Sequence, residues 1–183
     1  MINLKLIKHL LHSTLNRVFL IIYPPVGEKS ILQIDIRIGL IIENNLESLY
    51  VIGTDLDDLW SPMINVEKIP DIFFSNLDFL ERTRLWMTKE LNNDITLEYY
   101  DFTISEYFKD IVGKKINDIE LVSIEGNPDP FGIKLLFQND FILSSPNSDG
   151  NTIETKTFNK NKNIENFKHL GNIVYSKFKG INE

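Results

Sequence analysis

The 183-residue chain contains no cysteine and three histidines. The first absence removes disulfides, thiolate metal sites and a thiol nucleophile, and leaves the redox compartment open. The second leaves few parts for nucleophilic chemistry. Apolar runs such as Val18–Ile22 fall far short of the roughly 20 residues that a membrane-spanning helix needs. Met1–Leu15 does not read as a secretory leader, because polar residues interrupt it and no small-residue cleavage site follows. A Gly-rich phosphate loop, a G-x-S-x-G elbow and an H-E-x-x-H pair are missing too. These absences predict a cytoplasmic protein with no membrane span, no cofactor and no enzymatic activity.

What is present is ordinary for a globular protein: 43% hydrophobic and 25% charged residues. The richness in Ile, Asn and Lys suits an AT-rich bacterial genome. Net charge is −7, and it is unevenly spread. Residues 156–183 carry six lysines against Glu165 and Glu183, a local +4 that leaves −11 on the rest. An acidic body disfavours a nucleic-acid backbone and favours a basic partner. Lys156, Lys160, Lys162, Lys168, Lys177 and Lys179 are interspersed with Phe158, Phe167 and Tyr175. Those aromatics are better placed in a core than as stacking platforms, so nucleic acid is not expected.

The organising stretch is Ile31–Glu43. Leu32, Ile34, Ile36, Ile38, Leu40 and Ile42 fall on every second residue, the period of a strand with one buried and one wet face. A helix is expected over residues 3–15, and a strand over Arg17–Tyr23 stopped by Pro24 and Pro25. The long strand follows, then a third at Leu49–Ile52, and a polar loop at Gly53–Pro62. Phe73–Leu91 reads as a helix with Leu77, Leu80, Met87 and Leu91 on its buried side, widened by Phe79 and Trp86. Ile95–Phe102 is ambiguous between strand and linker.

Thr103-Ile104-Ser105-Glu106 has the capping-box form and predicts a short helix closed by Gly113. Asp118–Glu125, Phe131–Gln138 and Phe141–Ser144 read as strands, with Ser144–Asn151 a loop or hairpin end. Ile153–Phe158 is a candidate edge strand. A closing helix from Ile164 to Phe178 contains Gly171, and Asn172–Phe178 reads alternatively as a strand. The expected fold is α+β: one domain over residues 1–183, built of antiparallel meanders with flanking helices. The order of elements allows two related halves, 1–95 and 96–183.

Two acidic clusters are candidates for binding. Asp55, Asp57 and Asp58 precede Trp60 in one loop. Counted from Asp55, Trp60 and Val66 stand where a calcium loop needs a glycine and a bidentate carboxylate, so that pattern fails. Glu98, Tyr99, Tyr100 and Asp101 form the other cluster, with Glu106 and Asp110 downstream. Tyrosines among carboxylates suit the grip of a basic surface; half-buried core tyrosines are the plainer reading. His9 and His12 lie three apart on the first helix without a carboxylate in a recognisable metal motif, and read as surface residues.

The strand pair F-G-I-K-L-L-F-Q-N-D-F-I-L and the following S-D-G-N-T-I-E-T, within a small, acidic, cysteine-free α+β chain, resemble immunity proteins of bacterial polymorphic-toxin and contact-dependent inhibition systems. The resemblance covers Val18–Ile52 and Ile119–Thr155. It implies a cytoplasmic inhibitor that binds one cognate toxin domain, often a basic nuclease, and blocks its active site or substrate groove. The alternatives are a metal-assisted hydrolase using the Asp55–Asp58 loop, and a structural or assembly subunit.

Overall fold

A computed structural model describes residues 3–30, 34–55, 61–92, 94–127, 129–147, 150–160 and 162–178. The fold is α+β, with two mostly antiparallel sheets packed face to face. The first sheet holds β1 (Leu15–Ile22), β2 (Ile36–Ile42), β3 (Asn45–Thr54), β4 (Pro62–Lys68), β5 (Phe74–Ser75) and β6 (Glu98–Asp101), in the order β4-β3-β2-β1-β6-β5. The second holds β7 (Asp118–Ile124), β8 (Gly132–Leu136), β9 (Phe141–Asn147), β10 (Gly150–Glu154) and β11 (Ile173–Lys177), in the order β10-β9-β8-β7-β11. Helix α1 (Leu4–Leu10) precedes the first meander, and α2 (Phe79–Met87) separates β5 from β6.

The inner faces share one continuous core. Val18, Leu20, Ile38, Leu40 and Ile52 from the first sheet meet Ile119, Ile133, Leu135, Ile142 and Ile153 from the second. The two sheets divide the chain between Asp101 and Asp118. Strand β6, which a split at residue 95 would assign to the second half, therefore belongs with the first. In each sheet four successive strands form a meander whose first strand also pairs antiparallel with a later one: β1 with β6, and β7 with β11. The meanders touch where each begins, through an antiparallel bridge between Thr14 and Lys115.

Strand β2 carries Ile36, Ile38, Leu40 and Ile42 of the expected inward row, with residues 31–33, Leu32 among them, outside the described residues, but its other face is not wet. Gly39 and Ile41 are buried, because β2 lies centrally and the chain crosses over it. β4 and β5 are opposite edges of the sheet, so residues 69–73 must span it. Ile69 packs on Phe19, Ile21, Ile41, Leu49 and Val51, and the Phe73 ring meets Phe19 edge-on at 5.5 Å. This strap gives the sheet a second small core. Gly39 fits beneath it, since a Cβ there would lie 2.9 Å from Leu49 Cδ1.

Several expected helices are shorter or absent. α1 stops at Leu10, and His12 takes a left-handed backbone (φ 67°). The Thr103–Gly113 stretch forms turns. Its capping box fails because the Thr103 hydroxyl accepts instead from the Val18 N–H at 3.2 Å, and the Thr103 N–H donates to Asp101 Oδ1 at 2.9 Å. The closing segment divides at Gly171 (φ 144°) into a 3-10 helix, Asn163–Leu170, and strand β11.

Candidate functional site

The Glu98–Asp101 cluster lies on β6, and alternation splits it between faces. Tyr100 points inward and is fully buried, with Phe79 edge-on at 5.2 Å and Phe74 at 5.5 Å. Its hydroxyl donates to the Glu98 carboxylate, which also pairs with Arg82. The Arg82 guanidinium stacks 3.8 Å from the Phe74 ring centre. Burial, and then the Glu98 carboxylate, push the Tyr100 hydroxyl well above the ordinary tyrosine range. Glu98 and Tyr100 thus satisfy each other inside the fold and have little surface to offer a partner.

Tyr99 and Asp101 point to the strap side. Tyr99 is half-buried, and burial followed by Glu67 raises its hydroxyl. Asp101 pairs with Arg17 at 2.6 Å. Burial alone would raise its carboxyl, but hydrogen bonds from Thr103 and Arg17 outweigh it and hold the group below the usual carboxylate range. Of the other cluster, Asp55 follows β3, where its N–H donates to the Ser61 carbonyl at 2.8 Å. Asp57, Asp58 and Trp60 lie outside the described residues.

The surface beside β6 carries a different set of residues. After the strap, two-residue β5 runs parallel to β6, with Ser75 opposite Asp101. Here a capping box does form. The Ser75 hydroxyl accepts from Leu77 N at 3.2 Å, and the Asp78 carboxylate accepts from Ser75 N at 3.1 Å. This box caps a 3-10 turn, Asn76–Asp78, which runs directly into α2 with Phe79, Thr83 and Trp86 inward. The spacing i, i+4, i+7 defines one helix face, so of the residues expected to be buried Leu77 and Leu80 are exposed, while Met87 and Leu91 are partly buried. Leu77 is 84% and Leu80 63% exposed. Ile72 in the strap is 78% exposed, and Ile104, three residues past β6, is 90% exposed.

Ile72, Phe73, Leu77, Leu80 and Ile104 are thus exposed within five residues of β5 or β6 along the chain. The Phe79–Phe102 contact (5.4 Å) ties the start of α2 to the segment leading into Ile104. Exposed aliphatic side chains beside an edge strand are candidate anchors for a partner. Residues 71–110 hold nine Asp or Glu against four Arg or Lys, with Asp71 and Asp101 paired to Lys68 and Arg17 outside that stretch. Glu81, Glu106 and Asp110 are exposed among them. Sequence reading missed this edge because Thr83 interrupts the true buried stripe, while the leucines imitate one.

His9 and His12 line a separate cavity of about 460 Å³ with Lys8, Asn45 and Tyr50. The Ser13 hydroxyl there is committed to the His9 carbonyl at 2.6 Å. Among the described residues no three His, Asp or Glu side chains group closely enough to hold a metal, and no helix is long and apolar enough to cross a membrane. No family model matches the chain, and neither does any curated protein or solved structure.

Proposed function

We propose that the chain is a protein-binding inhibitor of the immunity type, which docks a basic toxin domain through the β5–β6 edge and neutralises it in the cytoplasm. The observation that carries this reading is the exposure of Ile72, Leu77, Leu80 and Ile104 in a segment with a five-charge acidic excess. Apolar anchors supply contact area that a partner must desolvate, and the carboxylates speed and orient the approach of a basic surface. The same charge opposes an assembly subunit, because two copies meeting at this edge would set like charges against each other.

The test is coexpression with the products of the neighbouring genes, to find a toxic domain that this chain neutralises. Growth protection, together with a one-to-one complex whose association slows as salt rises, supports the reading. A chain that self-associates and gives no protection contradicts it.

A further inference from the structure

The outer side of the second sheet holds a cavity of about 320 Å³ that inhibitor docking does not use. Four lysines converge on it from distant parts of the sequence: Lys134 from β8, and Lys156, Lys160 and Lys162 from the loop after β10. The Lys134 ammonium lies 4.8 Å from the ring centres of both Phe141 and Tyr175. Leu143 and Ile164 add apolar lining. Aromatic faces are thus supplied by Phe141 on β9 and by Tyr175 on β11, and Tyr175, expected in the core, is 39% exposed.

The lysine loop is pinned. The Lys156 N–H donates to Asp140 Oδ1 at 2.9 Å, and the Thr155 hydroxyl accepts from Thr157 N and Phe158 N. The Asn159 amide donates to the Thr152 hydroxyl at 2.7 Å. Asn159 and Lys162 both adopt left-handed backbone, at φ 49° and 52°, a strain that non-glycine residues accept where surrounding contacts enforce it.

The nearby carboxylates offset only part of this charge, with Glu154 itself lining the cavity. Glu120 lies 4.0 Å from Lys134, and Glu165 pairs with Lys168. Glu154 is buried and turned to the start of the 3-10 helix, where its Oε1 accepts from Asn163 N at 2.6 Å. Lys160 and Lys162 are exposed, and among the described residues neither ammonium forms an ion pair, while the Lys162 backbone N–H donates to the Glu154 carboxylate. Like charges held together on a fixed loop repel, and a bound anion relieves that cost.

We infer that this cavity binds a small phosphate-bearing molecule with an apolar or aromatic body. The lysines act as point charges on the phosphate, and Leu143, Ile164, Phe141 and Tyr175 receive the body. The test is calorimetric titration of the full chain with phenyl phosphate and with inorganic phosphate, against sodium chloride at matched ionic strength. Saturable binding of phenyl phosphate, roughly tenfold tighter than inorganic phosphate, is expected. The K160Q/K162Q double variant should weaken that binding at least tenfold without lowering the ligand-free melting temperature, and K134Q should weaken it too. A response equalled by sodium chloride, or binding undiminished in both variants, would overturn the assignment.

Discussion

The Thr54 hydroxyl donates to the side-chain oxygen of Asn151 at 2.8 Å, joining the two sheets across 97 residues of sequence. The same oxygen accepts from Ser144 Oγ at 2.9 Å, and the Asn151 amide donates to the Ile36 carbonyl at 2.7 Å. Asn151 N–H completes the junction on Asp35 Oδ1 at 2.9 Å. All this occurs at a residue 1% exposed, where an orphaned polar group has no water to turn to.

Asn151→Ala should therefore strip partners from two hydroxyls and from the Ile36 and Thr152 carbonyls together. We expect a loss of about 2–4 kcal/mol in unfolding free energy, read from urea denaturation. A loss below about 0.5 kcal/mol would mean that the junction is not a structural tie.

The two faces of α2 give a paired prediction. Phe79→Ala removes a ring packed on Tyr100 and Phe102 and should cost about 3–5 kcal/mol. Leu80→Ala, one residue on, should change stability by less than about 0.5 kcal/mol. Equal costs would place both residues in the core.

Alkaline pH should weaken the fold through Tyr100. In the unfolded chain a tyrosine ionises near pH 10, as a rough reference, whereas the folded environment raises this hydroxyl. A raised folded value means that the contribution is complete below the unfolded value and is lost as pH climbs towards the folded one. Unfolding free energy should fall between about pH 9 and 11, and Tyr100→Phe should make that fall shallower. An unchanged slope would detach Tyr100 from the alkaline loss. Tyr99 and Tyr175 are shifted in the same direction and supply the remainder.

Period-two alternation made the meanders legible, because Leu20, Ile38 and Ile133 each sit in a row that one-residue slippage would turn to solvent. The buried second face of β2 was not legible: it depends on residues 69–73 crossing from the opposite edge, a tertiary fact with no local pattern. β4 escaped notice because Val66 and Asn65 are exposed on an edge strand and break its alternation. Capping boxes were ambiguous for a similar reason. Thr103 and Ser75 both head acceptable motifs, and what decides between them is that Val18 N–H claims the Thr103 hydroxyl. The tyrosine cluster was visible as chemistry, but its inward turn at Tyr100 follows from which face of β6 meets α2.

Docking through the β5–β6 edge is tested most directly by the triple variant Leu77→Asp, Leu80→Asp, Ile104→Asp. All three side chains are more than 60% exposed, so the fold should survive with its melting temperature within a few degrees, roughly. Buried carboxylates without partners would instead break an interface. The measurement is protection of growth by this variant, coexpressed with the toxic domain, beside its circular dichroism melt. A folded variant that no longer protects is the expected result; a folded variant that protects as fully as the natural chain would contradict docking at this edge.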